Sequence, residues 1–203
     1  MPEFLETHQK LALVDANVPT AYHIKSLSDA GFGGIAKDLQ KLLKDIGDGL
    51  DTFPNTLVSA DTTNYELFFA VVKSLVLAGS YTMYGNSILV ASLEDILKAR
   101  MLEMEKLPEP ELDKPYAFYK LLVNNPKFLF IPDFVTEDPS FDESNIHLKT
   151  YTGYEYRILN TFIRGRLENE DLTTVLYSAS TDISHCWSKL LIQIINRKVD
   201  LNL

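Results

Sequence analysis

The sequence predicts a mainly α chain, with a helical N-terminal lobe over residues 1–107 and a second helical segment over 113–203. Three observations carry this. Ile35, Leu39, Leu42, Leu43 and Ile46 recur at three- and four-residue spacing, which places them on one face of a helix. Thr63 is followed three residues later by Glu66, the spacing of a capping box at a helix start. Leu107-Pro108-Glu109-Pro110-Glu111 sets two prolines where a helix has to stop and extended backbone is favoured, which divides the chain.

Taken in order, Glu3 to Val14 reads as a first short helix, and Pro19 and Thr20 open a second that ends near Gly31. The Ile35–Ile46 helix ends at Gly47 and Gly49, with Lys41 and Lys44 near its negative end. Asp51 to Ala60 reads as a loop built around Pro54. A helix then runs from Asn64 to about Leu77, and Gly79 and Gly85 flank a turn over Ser80–Tyr84. A further helix is expected from Ser87 to about Leu107, although Ser92 and Asp95 inside it are start-type residues and allow a later beginning. Past the prolines, Tyr116 to Val123 is a short helix. Phe128-Leu129-Phe130-Ile131 is an apolar strand or extended segment ended by Pro132, and Thr136 to Ser144 is an acidic loop. From Ile146 nearly to the end the pattern reads as helical. Trp187, Leu190, Leu191, Ile194 and Ile195 form the apolar stripe of a helix over Asp182–Lys198.

Charge and composition exclude several classes of function. The chain has 203 residues and a net charge of −9, which disfavours a phosphate backbone as partner, so nucleic acid is not expected. Leu67 to Ala78 is interrupted by Lys73 and is too short to cross a bilayer, so no membrane role is expected. The N-terminus has acidic residues and no apolar core, unlike a Sec signal peptide. Cys186 is the single cysteine, so no internal disulfide can form. Its neighbour His185 faces a different direction on a helix and does not make a dyad with it. Gly31-Phe32-Gly33-Gly34 follows a helix and lacks a Lys-Ser/Thr, so it reads as a helix–helix turn rather than a phosphate loop. No His, Cys or carboxylate spacing suggests a metal site.

Residues 149–167 carry the most specific pattern. Thr152 and Gly153 suit a helix start, and Glu155 sits where the helix dipole favours negative charge. Tyr156, Leu159 and Ile163 share one side, Asn160 and Arg164 lie four apart, and Gly165 is placed to end the helix. Arg157 and Arg166 read as surface charges. Tyr151-Thr152-Gly153, Tyr156, Asn160 and Arg164-Gly165 fall at intervals that resemble the opening of mono-ADP-ribosyltransferases of the bacterial toxin and effector type. Leu159 and Ile163 stand where that family has Ile and Leu.

The resemblance covers residues 146–203 and implies the opening helices of a transferase domain that takes ADP-ribose from NAD and attaches it to a protein, as a glycosyl transfer. It implies Arg164 as a contact to the NAD diphosphate, with Asn160 and Tyr151 as further residues at the nucleotide. It also implies a cytoplasmic protein, or one delivered into a host cytoplasm as an effector. The family's aromatic-Arg-Gly strand, Ser-Thr-Ser strand and Glu-x-Glu loop have no counterpart in order. Ser178-Ala179-Ser180-Thr181 precedes any Arg strand, and the pairs Glu103/Glu105, Glu109/Glu111 and Glu168/Glu170 stand in the wrong places. No catalytic residue is therefore assigned, and NAD is expected to bind this chain weakly or not at all. The alternatives are an acidic helical protein-interaction module without enzymatic activity, for which the net charge suggests a basic partner surface, and an inactive transferase relative.

Overall fold

Thr56–Ser59, Ile88–Val90, Phe128–Val135, Thr173–Ser178 and Arg197–Asp200 form strands β1 to β5 in chain order. Most of them are runs of β-branched, aromatic and other apolar residues, which fit a pleated surface buried on both sides. The computed structural model describes residues 7–23, 55–59, 69, 72–73, 76–77, 88–104, 113–135, 151–178, 183, 187–195 and 197–200. Among them the strands build one five-stranded sheet in the order β2-β3-β4-β1-β5. Every pairing in it is parallel. The helices between and before the strands are α1 (Thr7–Asp15), α2 (Leu93–Glu103), α3 (Tyr116–Val123), α4 (Gly153–Leu167) and α5 (Lys189–Ile194).

The expected mainly α class is therefore wrong, and the chain is α/β. The error has a physical cause. Strands of a parallel sheet are covered on both faces, so they lose the polar–apolar alternation that marks a strand and read as apolar runs. Ile88-Leu89-Val90 merged in the sequence with the apolar helix behind it; here the chain turns at Ser92, whose hydroxyl caps α2 in a capping box with Asp95. Thr56–Ser59 lay in an expected loop and is a strand flanked on both sides, by β4 and β5. The helical run expected from Ile146 onward is broken by β4 and β5, and the helix over 182–198 contracts to Lys189–Ile194. Pro132 does not end its strand. It sits inside the register irregularity between Ile131 and Val135, where the missing N–H costs no ladder bond.

Positions 69, 72–73 and 76–77 are helical, as expected for the Asn64–Leu77 helix. Most of the Pro19–Gly31 helix, the Ile35–Ile46 helix, the Thr63 capping box, the Ser80–Tyr84 turn, the proline boundary, the acidic loop over 136–144, and His185 and Cys186 lie outside the described residues. The division at 107–113 does not separate two sheets: β1 comes from the first segment and lies between β4 and β5 of the second.

Alternate strand residues divide the core. Leu57, Leu89, Leu129, Ile131 and Leu176 join one apolar cluster with Leu93, Ile96, Tyr119, Leu122, Leu159, Ile163 and Leu191 of the four helices α2 to α5. Val58, Ile88, Val90, Phe128, Phe130, Val175 and Tyr177 are equally buried and point to the opposite face, because successive strand residues alternate. Right-handed crossovers explain the arrangement. The steps β2→β3, β3→β4 and β4→β5 all run one way along the sheet, so their helices share a face. The step β1→β2 runs the other way, so its connection, with buried Phe69, Val72 and Val76, belongs to the opposite face. Behind α1, the Val90 N–H donates to Ala16 O (2.8 Å) and Asn17 Nδ2 donates to Val90 O (2.8 Å). These bonds shield part of the exposed edge of β2.

Candidate functional site

By the right-handed crossover rule the connections that follow β1 and β4 belong to opposite faces, which makes the carboxyl ends of these two neighbouring strands the topological switch point of the sheet. In open parallel sheets this topological switch point is where ligands bind. Ser59 ends β1 and Ser178 ends β4, and the two are paired in register. On the far side of β4, β3 brings Asp133 to the same edge.

Asp133 is the most perturbed carboxyl at this edge. Both of its oxygens accept from the Leu93 N–H, at 2.9 and 3.1 Å, at the start of α2. Burial is the largest influence on it and raises its pKa to about 6; the Leu93 hydrogen bond opposes this, and the charges of Asp95 and Glu94 add to it. Asp95 is itself buried. It accepts from Ser92 N at 2.9 Å and from Lys114 Nζ at 2.6 Å. Tyr151 stands half-buried at the same edge, and its hydroxyl is pushed up to about 12, first by burial and then by the charge of Asp133. The arrangement offers a carboxyl that gains and loses a proton near neutral pH beside a phenol that stays protonated.

A second polar group lies at the opposite, amino edge and is structural. Arg166 is 1% exposed, not the surface charge the sequence suggested. Its Nε donates to Thr174 Oγ1 (3.1 Å), and one terminal nitrogen donates to Pro126 O (2.8 Å) and Thr173 O (3.1 Å). Burial lowers its pKa to about 9. Asn55 completes the cluster by accepting from Thr174 N (2.8 Å) and donating to Leu167 O (3.0 Å). These bonds pin the end of α4 and the starts of β1, β3 and β4 together.

The three residues singled out in the sequence are not gathered. They lie on α4 or just before it, and α4 runs antiparallel to the strands. Thr152 caps it at the carboxyl edge in a capping box with Glu155, as expected. Gly165 does not end it; the helix continues to Leu167. Tyr151 is thus at the ligand edge, while Arg164, 13 residues later, is about 20 Å away at the amino edge by helical rise. Arg164 Nε lies 3.7 Å from the Glu168 carboxylate, an exposed pair one turn on. Asn160 accepts from Ser188 Oγ (3.2 Å) and fixes the start of α5. Glu168 and Glu170 are exposed just past the helix.

Asp133 went unread in the sequence, and Arg166 was read as a surface charge. The available signal for Asp133 was a carboxylate one residue past a four-residue apolar run; Pro132, between them, concealed it. Arg166 carried no signal, since a charge in an amphipathic helix looks alike whether solvated or sealed beneath the next strand. Among the described residues there is no cluster of three metal-ligating side chains, and no helix is long and apolar enough to cross a membrane. No protein-family model matches the chain, and no curated protein is significantly similar to it.

Proposed function

We propose that this chain is a doubly wound α/β binding domain that takes a nucleoside-type ligand in the crevice between the carboxyl ends of β1 and β4. The observation that carries this reading is the strand order β2-β3-β4-β1-β5, which makes β1 and β4 the switch point. NAD, the ligand implied by the transferase resemblance, belongs to the same class. The support for it now comes from the sheet, because Arg164 lies at the wrong edge.

The sequence that follows β1 sets the chemistry. In P-loop enzymes a strand at this place feeds a glycine-rich loop ending in Lys-Ser/Thr, whose backbone N–H groups and lysine hold phosphates. Here residues 60–67 read Ala-Asp-Thr-Thr-Asn-Tyr-Glu-Leu, with neither glycine nor lysine and with two carboxylates. Such a sequence offers hydroxyls and negative charge, which suit ribose and base edges and disfavour a polyphosphate. The domain therefore binds its ligand without transferring phosphate. Asp133 and Tyr151 supply hydrogen-bonding groups from the β3 side.

Calorimetric titration of the whole chain with adenosine, NAD, ADP and Mg-ATP tests this. Adenosine and ATP are expected to bind within roughly tenfold of each other, a difference of about 1.4 kcal/mol or less. Binding of ATP more than about a hundredfold tighter than adenosine would restore a phosphate grip and contradict this reading of residues 60–67. Absence of heat from every nucleoside would remove the ligand class itself.

A further inference from the structure

Along α4, Tyr154, Arg157, Ile158, Thr161 and Phe162 fall at i, i+3, i+4, i+7 and i+8, a second stripe beside the one that enters the core. With Arg100 and Met104 of α2 they line an open groove of about 300 Å³. Its floor is Phe162, over whose ring the Arg100 guanidinium lies at 5.6 Å. Its walls are apolar and accessible: Tyr154 is 43% and Met104 39% exposed, and the Tyr154 hydroxyl approaches the Met104 sulfur at 3.8 Å. Both charged residues of the lining are cations. Arg100 shares one terminal nitrogen with Glu103 at 2.5 Å, and Arg157 turns its Nε to Gly153 O at 3.2 Å. Each guanidinium has further N–H donors, five in all in a planar fork.

The groove lining holds two arginines and no carboxylate, although Arg100 is already paired with Glu103 at its rim. A net charge of −9 suggests a basic partner, yet here two arginines border an apolar floor. We infer that the α2–α4 groove docks an acidic amphipathic segment of a partner protein, with apolar side chains against Met104, Ile158 and Phe162 and carboxylates on Arg100 and Arg157. The open, shallow form between two helices suits a helix laid in a groove. Long-range repulsion by the acidic chain works against such a partner, so the apolar floor supplies affinity and the two guanidinium groups choose the partner by carboxylate geometry. The groove lies on the outer surface of the helical layer, so this inference stands apart from the β1/β4 crevice.

The test is selection of displayed random peptides, about a dozen residues long, on the immobilised full chain, followed by affinity measurement on the synthesised winners. The expected winners combine Leu, Phe or Trp with Asp or Glu. Arg157→Glu and Thr161→Glu, both at exposed positions and checked for an unchanged circular dichroism spectrum, are each expected to weaken binding by roughly tenfold or more. Exchange of Lys for Glu in the peptide should abolish binding to the native chain and restore it to the Arg157→Glu variant. No enrichment, basic winners, or winners that bind both variants undiminished would overturn the inference.

Discussion

Replacement of Asp133 by Asn is expected to stabilise the protein at neutral pH and to leave it unchanged in acid. Burial raises the carboxyl's pKa to about 6 in the fold, against an ordinary value of 3.8. Its folded pKa is raised, so between those values the native state binds more protons than the unfolded chain, and stability falls as pH rises. Well below pH 4 both states are protonated and the cost is absent; at pH 4 it is about 0.5 kcal/mol, and above about pH 6 it is nearly complete, at roughly 3 kcal/mol. Asparagine keeps an oxygen for the Leu93 N–H and carries no charge. Asp133→Asn should therefore lie within about 0.5 kcal/mol of the native protein at pH 4 and exceed it by about 2–3 kcal/mol at pH 7.5, a rise in melting temperature of several degrees for a chain of this length. Urea unfolding of both proteins at half-unit steps from pH 4 to 8 measures the difference curve. A flat difference, or a variant less stable than the native protein at pH 7.5, would refute the reasoning, since either requires a carboxylate that is well solvated or well paired.

Three further changes test the scaffold and one tests the amino edge. Arg166→Ala removes the donors to Pro126 O, Thr173 O and Thr174 Oγ1 and empties a sealed site; with about 1–3 kcal/mol for each orphaned group, set against relief of a buried charge, we expect a loss above 3 kcal/mol in chemical unfolding. Asn55→Ala strips Leu167 O and Thr174 N of their partner and should cost about 1–3 kcal/mol in the same assay. Thr152→Ala breaks the capping box of α4 and should cost about 1 kcal/mol, measured as the shift in urea midpoint. Arg164→Ala, at an exposed pair on the amino edge, should change stability by less than about 0.5 kcal/mol and leave nucleoside affinity unaltered by calorimetry.

The helices were legible where local chemistry fixes them. Thr152 with Glu155 announced the start of α4, and Tyr116–Val123 appeared as a helix with its expected bounds. Ser92 and Asp95 signalled the true start of α2 and were outweighed by the apolar run before them. The sheet was hidden because pairing is non-local: Thr56-Leu57-Val58-Ser59 gives no sign of the two strands, more than a hundred residues downstream, that flank it. Thr173–Ser178 is rich in β-branched and aromatic residues, yet it was absorbed into the helical run expected from Ile146 onward. The 149–167 pattern illustrates a separate limit. Its Tyr, Asn and Arg keep the intervals of an ordinary capped helix, and such intervals arise equally from a crossover between parallel strands. The site was illegible for the same reason as the sheet, since a switch point exists only once the strand order is known.

The most direct test of the central claim is amide hydrogen exchange of the whole chain with and without saturating adenosine or NAD. Protection concentrated at residues 133–135, 151 and 178, with residues 160–164 unchanged, is the result expected from a ligand in the β1/β4 crevice. Protection centred on Asn160 and Arg164 with the strand ends unaffected would contradict it and return the ligand to the amino edge.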